Sequence, residues 1–460
     1  MNGSVWAATL PDGERVGGEP LDGDARADVT IVGAGYTGLW TAYYLAVADP
    51  TLHVKVVDAA GVGFGASGRN GGWCSGLLPL SLPALSARHG RYAAMALQRA
   101  MNDSVGEMLA VAATEGIDAG AAHGGVVTLA RNAAQEARLR TELSDARRFG
   151  FEDCDLRWLG DDEAATMCRA TGVRAGLFSP HCAAVHPLRL VHGLAAAAVR
   201  RSVRIYTDTP VVAVGPERVD TAGGRITTEV VVIATEAFTA RLPGRRRDVL
   251  PVYSLMVATE PLADEVWSAI GLDGRPTFTD ARHGVIYGQR TADGRLAFGG
   301  RGAPYHARSR IESRFDTDER VRRDLVATAR ALFPVLGDVE FPYHWGGPLG
   351  VARDWHPSVR FDHTSRLALA GGYAGDGVAA AHLAGATLAD LITGQATART
   401  ELPWVHHHSP AWETEPWRWL GVNAARVAAG RADRAEASSG PLARRRAAGW
   451  RRVLHAVAKR

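Results

Sequence analysis

Residues 28–38, DVTIVGAGYTG, decide the fold of this chain. An apolar run typical of a buried strand (28–32) leads directly into a glycine turn with the spacing G-x-G-x-x-G. Residues 39–48 then have the composition of a helix, and a second apolar strand, HVKVVD, follows at 53–58. Two parallel strands need a crossover between them, so this order predicts a β-α-β unit.

The glycine spacing predicts a dinucleotide site because it follows a strand and opens a helix. Gly33 allows the tight turn, Gly35 lets the backbone approach a pyrophosphate, and Gly38 lets helix and strand pack closely. Free N–H groups at the start of the helix then bind the phosphates. Asp58 ends the second strand, where it can accept hydrogen bonds from an adenosine ribose and disfavours the 2′-phosphate of NADP. NAD and FAD both stay open at this point.

Length and composition describe a globular chain. With 460 residues we expect two packed domains, and a net charge of +3 gives no electrostatic case for nucleic acid as a partner. Residues 1–26 lack a signal-peptide pattern, and no uncharged apolar run reaches about 18 residues. The four cysteines form no C-x-x-C pair, which favours reduced thiols. We therefore expect a cytoplasmic protein.

The rest of the chain predicts a mixed architecture. A helix at 188–201 and strands at 203–207 and 230–234 indicate a return to the first sheet. An antiparallel hairpin is predicted for 285–288 and 295–299, because Asp-Gly lies in the turn between them. These features predict an α/β fold with a second domain built on antiparallel strands.

Residues 63–72, GFGASGRNGG, form the most specific local motif, and this segment resembles the glycine-rich segment of the D-amino-acid oxidase superfamily. It is most similar to the branch of glycine/D-amino-acid and γ-glutamylputrescine oxidases. Three further segments resemble this family in the same order: VVVIAT at 230–235, LAFGGR at 296–301 and GGYAGDGV at 371–378. The resemblance extends over residues 27–394.

The resemblance implies a Rossmann-type FAD-binding domain interleaved with an antiparallel-sheet substrate domain, as in D-amino-acid oxidase and glutathione reductase. The implied boundaries are 27–90, 183–245 and 349–398 for a discontinuous FAD-binding domain, 91–182 and 246–348 for the substrate-binding domain, and 399–460 for a C-terminal helical extension.

The resemblance also implies the residues that bind FAD. Ser67, Arg69 and Asn70 would lie along the pyrophosphate and ribityl chain, and the backbone of Val211 or Val212 would meet the adenine. The full implied set is Gly33, Gly35, Tyr36, Thr37, Gly38, Asp58, Ala66, Ser67, Arg69, Asn70, Gly71, Gly72, Val212, Ala234, Thr235, Gly372, Gly375, Asp376, Gly377 and Val378.

Two features of the FAD site depart from the family pattern. Asp58 stands where glutamate is commoner, which shortens the reach to the ribose, and Asp376 stands where relatives often carry histidine. Cys182 is the last cysteine of the chain, so no cysteine from the carboxy-terminal half can form a thioether to the flavin. We therefore expect noncovalent FAD.

The implied activity is oxidation of an amine or amino acid. Hydride passes from the carbon next to nitrogen to flavin N5, and the resulting imine hydrolyses; O2 or a redox carrier is the final acceptor. No obligatory catalytic base is implied. Candidate substrate contacts are polar or aromatic residues of the second domain, and a carboxylate substrate would need an arginine fork. They are Tyr253, Tyr287, Arg301, Tyr305, His344 and Trp345.

Two other functions stay open. A flavin monooxygenase shares the first glycine motif but needs NAD(P)H to reduce its flavin, and a non-catalytic protein could hold FAD as a structural ligand. Residues 401–460 carry several tryptophans and a basic stretch at 444–460. We interpret this tail as a helix packed over the FAD domain, with an amphipathic segment for a membrane or partner as the alternative. The run HHH at 406–408 is interpreted as solvated, and no metal site is predicted.

Overall fold

The computed structural model describes residues 3–300, 302–437 and 449–450. The strands are, in chain order, β1 (Ala25–Val32), β2 (Val54–Val57), β3 (Trp73–Ser75), β4 (Val126–Ala130), β5 (Arg157–Leu159), β6 (Ala175–Ser179), β7 (Cys182–Ala184), β8 (Arg204–Tyr206), β9 (Val211–Gly215), β10 (Arg218–Thr221), β11 (Gly224–Ile233), β12 (Leu250–Ala258), β13 (Thr277–Asp280), β14 (Ile286–Arg290), β15 (Leu296–Gly300), β16 (Tyr343–Val351), β17 (Ser358–Asp362) and β18 (Leu367–Gly371). The helices are α1 (Val5–Ala8), α2 (Tyr36–Ala48), α3 (Leu82–His89), α4 (Arg91–Thr114), α5 (Ala133–Arg148), α6 (Asp161–Met167), α7 (Pro187–Arg200), α8 (Asp264–Ile270), α9 (Glu319–Leu332), α10 (Gly377–Thr393) and α11 (Trp417–Ala437).

The first sheet is the predicted dinucleotide-binding sheet. Its strand order is β17-β18-β11-β1-β2-β8, and β9 and β10 form an antiparallel ribbon beside β11. β1 pairs in parallel with both β2 and β11, and α2 crosses between β1 and β2. The predicted β-α-β unit is therefore confirmed. Its strands are buried on both faces, as expected for parallel strands covered by helices.

The helices α2, α10 and α4 pack together beside this sheet. α10 packs directly on α2, and a Cβ on Gly385 of α10 would lie 2.5 Å from Cβ of Trp40 on α2. α4 falls in the range predicted for the substrate domain, yet its buried Leu97, Met101 and Val105 belong to the same core as α2 and α10. The core contacts of α4 are therefore made with α2 and α10, although the predicted boundaries assign α4 to the substrate domain. The domain boundaries stay a prediction.

The second sheet has the order β16-β12-β15-β14-β13-β4-β6-β5. All its pairs are antiparallel except β4 with β13, which run parallel. The predicted hairpin is confirmed as β14 and β15. Its core is separate from the first and contains Phe278, Phe298 and Leu255. A two-stranded sheet of β3 and β7 lies beside these two sheets.

The C-terminal extension divides into two parts. Trp404 is fully buried in the first core, and Val405 forms a bridge with Val359 of β17. α11 packs beside the second sheet, where Asp433 accepts hydrogen bonds from the backbone N–H groups of His283 and Gly284, both at 2.7 Å. The helix predicted to pack over the FAD domain belongs to the basic stretch and stays a prediction.

The basic stretch at 444–460 lies outside the described residues, apart from 449–450. None of the helices in the described part of the chain is long and apolar enough to span a membrane.

Candidate functional site: a dinucleotide cradle and an adjoining cavity

The glycine turn has the geometry that its motif requires. Gly33 has φ +112°, a region open to glycine, and a Cβ there would lie 2.5 Å from the carbonyl oxygen of Ala234. A Cβ on Gly38 would lie 2.0 Å from the carbonyl oxygen of Gly33, so helix and strand are in close contact. A Cβ on Gly35 would lie 2.8 Å from Oγ of Ser67. Gly33 and Gly38 therefore exclude a side chain, because each faces a backbone oxygen, whereas Gly35 faces the hydroxyl of Ser67.

The first turn of α2 faces this glycine turn with its N–H groups, which have no acceptors within the helix. Oγ of Ser67 accepts a hydrogen bond from Tyr36 N at 2.8 Å, so the predicted Ser67 does lie at the helix start. Thr37 Oγ1 is 3.0 Å from Tyr373 Oη, which ties α2 to the segment before α10. The cradle is therefore shaped for a phosphate group.

Asp58 lies beside the same turn. One carboxylate oxygen accepts from Ala34 N at 2.8 Å and the other from Ala60 N at 2.9 Å. Burial raises the pKa of Asp58, against these two hydrogen bonds, which lower it. Because a carboxylate oxygen can accept more than one hydrogen bond, the ribose contact predicted for Asp58 stays open as a prediction.

The segment 63–72 folds into a loop held by its own polar groups. Nδ2 of Asn70 donates to the carbonyl oxygens of Ala66 and Ser67 at 3.1 and 2.8 Å, and its Oδ1 accepts from Gly72 N at 2.8 Å. The amide of Asn70 thus shapes the loop. Its predicted contact with FAD stays a prediction.

Arg69 leaves this loop toward the second domain. Its guanidinium donates to Asp316 Oδ2 at 2.5 Å, to Gly346 O at 3.2 Å and to Phe64 O at 2.8 Å. The side chain is buried. Arg69 therefore joins the two halves of the site, and its predicted place along the pyrophosphate stays a prediction.

The strand predicted at 230–234 returns to the first sheet as the end of β11 and finishes beside the glycine turn. Ala234 N donates to Val32 O at 2.9 Å, and Thr235 follows it. On β9, the side chain of Val211 packs beside the core residues of this region, whereas that of Val212 is 59% exposed. The prediction for Val212 concerned its backbone and is not decided by this exposure.

Glu236 is a buried carboxylate near the predicted FAD contacts that the motifs did not indicate. Its carboxylate accepts from Gly350 N at 3.2 Å and from Gly372 N at 3.0 Å, so it joins β16 to the turn before α10. Burial raises the pKa of Glu236 to about 7, although the two backbone hydrogen bonds lower it. A lone glutamate after a strand has no sequence pattern that marks it.

The start of α10 faces the opposite end of the site. Gly375 has φ +112°, Asp376 is the N-cap residue, and Gly377 begins the helix. The positive end of the helix dipole therefore points out of this turn.

Both halves of the molecule line one cavity of about 320 Å³. Its wall contains residues of the 63–72 loop, of β3, β12, β14 and β16, and of the α10 start. Members that were predicted as site residues are Ala66, Arg69, Asn70, Gly71, Tyr287, Gly375, Asp376 and Val378; further members are Trp73, Ser75, Leu77, Leu78, Pro79, Ser254, Thr279, Val285, Ile286, Gly347, Leu349 and Trp355.

Tyr287 is the predicted substrate contact that the structure places in this cavity. Its Oη lies 2.8 Å from Ser254 Oγ, and its ring lies at 6.1 Å from that of Trp73 in an edge-to-face arrangement. A Cβ on Gly71 or on Gly299 would lie within 2.6 Å of the Tyr287 ring. The position of the Tyr287 ring therefore requires glycine at both Gly71 and Gly299.

Two other predicted tyrosines serve the second domain and do not line this cavity. Tyr253 is buried, and its Oη pairs with the backbone of Glu312. Tyr305 Oη donates to Glu415 at 2.8 Å beneath α11. Strand periodicity could not distinguish the inward face of β12, which carries Tyr253, from the cavity wall, and Tyr305 lies after the end of β15.

Trp345 and His344 also lie outside the cavity wall. Trp345 is buried behind the glycine loop, where its Nε1 donates to Arg69 O at 3.0 Å. His344 N donates to Gly3 O at 3.1 Å near the start of the described chain. Arg301 lies outside the described residues.

A second cavity of about 1350 Å³ lies between α11 and the second sheet, as bounded by the described residues. Val285, Ile286 and Trp355 line both cavities. The C-terminal helix thus forms an outer wall next to the smaller cavity.

Residues 28–391 match the model of a protein family described as FAD dependent oxidoreductase (DAO). This chain belongs to the FAD dependent oxidoreductase family. The match covers most of the chain and confirms the family resemblance of its glycine motifs. This DAO-family protein is therefore an oxidoreductase with FAD as its cofactor.

Curated relatives agree with this membership. The DAO-family chain is 30% identical over 386 residues to gamma-glutamylputrescine oxidoreductase of Escherichia coli, covering 82% of this chain and 86% of that protein. It is 26% identical over 392 residues to glycine oxidase of Geobacillus kaustophilus, covering 81% of this chain and 94% of the relative. A probable oxidoreductase, OrdL of Rhizobium meliloti, is 29% identical over 400 residues, with 86% and 89% covered.

Solved structures show the same fold. The crystal structure of glycine oxidase from Geobacillus kaustophilus superimposes with a TM-score of 0.70 at 23% identity, covering 83% of this chain and 99% of that one. L-proline dehydrogenase from P. horikoshii superimposes with a TM-score of 0.67 at 20% identity, with 83% and 96% covered. The predicted fold class is thereby confirmed.

Proposed function

We propose that this DAO-family enzyme oxidises an amine or amino acid at the carbon next to nitrogen and yields an imine that water hydrolyses. The main support for the proposal is the cavity that both halves of the molecule line together. Tyr287 and Ser254 of the second sheet line it together with the 63–72 loop and the start of α10, which belong to the dinucleotide side. Names of the curated relatives support an amine or amino-acid substrate.

The described residues fit FAD. The turn at Gly33 and the first N–H groups of α2 would hold the pyrophosphate, and Asp58 would bind the adenosine ribose. The N–H groups and positive dipole at the start of α10 would face the isoalloxazine end. FAD, when bound, supplies the acceptor for the hydride that leaves the substrate carbon.

The protein's own groups position the substrate. Tyr287 and Ser254 share one hydroxyl hydrogen bond, so the pair can present a donor and an acceptor to an amine nitrogen or a carboxylate. Trp73, Leu349 and Trp355 supply apolar wall that limits access of water. Asp376 adds a carboxylate to the same wall, which favours a cationic group on the substrate.

We propose noncovalent FAD in a cytoplasmic protein. Cys74, Cys168 and Cys182 are buried, and burial raises the pKa of the Cys168 and Cys182 thiols to about 12, so both stay protonated and weakly nucleophilic. The final electron acceptor would be O2 or a redox carrier.

An anaerobic spectral titration tests the proposal. Purified protein with FAD is mixed with a panel of primary, secondary and polyamine substrates and with D- and L-amino acids, and the oxidised flavin band is followed. Bleaching by one amine class supports the proposal, and admitting air then separates oxidase from dehydrogenase. Bleaching by NADPH alone would favour a monooxygenase instead. Flavin that stays oxidised with every amine would favour a non-catalytic role.

A further inference from the structure

Three histidines from distant parts of the chain meet outside the flavin site. One ring nitrogen from each of His89, His356 and His407 lies within 4.8 Å of the other two. His89 Nε2 is 2.9 Å from His356 Nε2, and the rings of His356 and His407 stack with centroids 4.0 Å apart. His356 is fully buried.

The hydrogen bonds around the cluster determine which nitrogen of His356 carries a lone pair. Nδ1 of His356 lies 2.7 Å from the carbonyl oxygen of Pro357, which can only accept, so Nδ1 carries the proton. Nε2 of the neutral ring therefore has its lone pair directed at His89. This is the tautomer that a metal-binding histidine needs.

A carboxylate orients the third ring. His407 Nε2 lies 2.8 Å from Asp354 Oδ2, which also accepts from Arg88 at 3.1 Å. A carboxylate behind an imidazole is the usual outer partner of a metal-binding histidine, because it holds the ring and raises its basicity. His407 thus differs from His406 and His408, which are exposed.

We propose that His89, His356 and His407 bind a divalent transition-metal ion, with zinc as the natural occupant. Three neutral imidazoles suit zinc, whereas magnesium and calcium need oxygen ligands. Zinc–nitrogen bonds of about 2.0–2.1 Å place ligand nitrogens roughly 3.3 Å apart. The His89–His356 pair is already near that spacing, and the third nitrogen needs to move inward by at most about 1.5 Å.

The bound ion would cross-link three segments of the chain. His89 ends α3, His356 lies in the turn after β16, and His407 belongs to the C-terminal extension. Between the ligand His356 and its neighbour Asp354 lies Trp355, which has φ +60° and lines the substrate cavity. A metal ion here would hold the extension against the turn that carries this strained tryptophan.

The test uses full-length protein with bound FAD and without a histidine tag. After chelator treatment and dialysis, zinc is titrated in competition with a chromophoric chelator. Wild type is expected to bind one zinc per chain. H89A and H407A are expected to weaken binding by more than the roughly 10–100-fold expected for D354N, which removes only the outer partner.

H408A is the matched control, because this residue belongs to the same histidine run but lies outside the cluster. Its zinc affinity is expected to equal that of wild type. Equal affinities for H89A and wild type, or an H408A loss as large as that of H407A, would overturn the proposal. So would wild type that takes up no zinc.

A second measurement uses only wild-type protein, so it does not depend on whether the variants fold. Cobalt(II) added to wild type is expected to give the visible bands of nitrogen coordination, and one equivalent of zinc is expected to abolish them. Wild type that shows no such bands would overturn the proposal without any variant. FAD content, measured in every sample, separates loss of metal binding from loss of fold.

Discussion

Tyr287 Oη lies 2.8 Å from Ser254 Oγ, although the two residues belong to strands that are not neighbours. β15 runs between β14 and β12, and the tyrosine ring crosses it at Gly299. The pair thus forms a polar bridge across three strands on the cavity wall. In the proposed amine oxidation, this bridge positions the substrate.

Y287F keeps the ring and removes the hydroxyl group. We expect it to slow flavin reduction by amine about five- to tenfold, because one hydrogen bond to the substrate contributes about 1–1.5 kcal/mol. Y253F is the matched control, since Tyr253 is a buried tyrosine outside the cavity wall. Stopped-flow reduction without oxygen measures both. Equal reduction rates for Y287F and wild type would remove Tyr287 from the site.

G299A should displace the Tyr287 ring. A Cβ at Gly299 would lie 2.5 Å from that ring, whereas a Cβ at Gly302 would meet Val321 at an ordinary 3.5 Å. We expect G299A to lower the free energy of unfolding by about 1–3 kcal/mol and to raise the KM for the amine, with G302A close to wild type. Urea unfolding and steady-state kinetics measure the two effects. A G299A protein with wild-type KM would contradict the close contact.

G38A should weaken FAD binding. The new Cβ would lie 2.0 Å from a backbone oxygen, so no side-chain rotation can relieve the contact. We expect the Kd for FAD to rise at least about tenfold, because the helix start must move away from the glycine turn. G61A is the control, since a Cβ at Gly61 meets nothing within 4 Å. Titration of apoprotein with FAD gives both affinities, and equal Kd values would contradict the cradle assignment.

Glu236 should make stability depend on pH. Burial raises its pKa in the folded state to about 7, from 4.5 in the unfolded chain. Between these values the folded state binds more protons than the unfolded state, so the free energy of unfolding falls as pH rises. The fall is at most about 3 kcal/mol.

E236Q should remove this slope, and E229Q, at an exposed position on β11 a few residues before Glu236, should keep it. Denaturant unfolding at pH 5 and pH 7.5 measures the difference for each protein. A slope in E236Q as steep as in wild type would assign the pH dependence to another group.

Local patterns predicted much of the fold. The glycine turn, α2 and the β14–β15 hairpin each depend on neighbours within a few residues, so periodicity and turn chemistry were sufficient. The contacts of α11 could not be predicted, because its charged partners, such as Arg138 for Glu436, lie about 300 residues away in the chain. Contacts at that separation leave no trace in a local pattern.

The candidate site was predicted in part for the same reason. Glycines were identified because backbone approach demands them, as at Gly33 and Gly38. Ser254 and Trp355 were missed, since a serine or tryptophan in a strand or turn has many roles and only the tertiary packing brings these two to the cavity. Glu236 was missed too, because its contact with the backbone of Gly372 joins distant parts of the chain. Tyr287 was one of six candidates, and the structure selected it through its position over Gly299.

The most direct test is anaerobic single-turnover reduction of the bound flavin by an amine that bleaches it, compared with the same amine deuterated at the carbon next to nitrogen. We expect slower bleaching with the deuterated amine, and one carbonyl product for each flavin reduced. Bleaching at equal rates without carbonyl product, or reduction by NADPH alone, would contradict oxidation at that carbon.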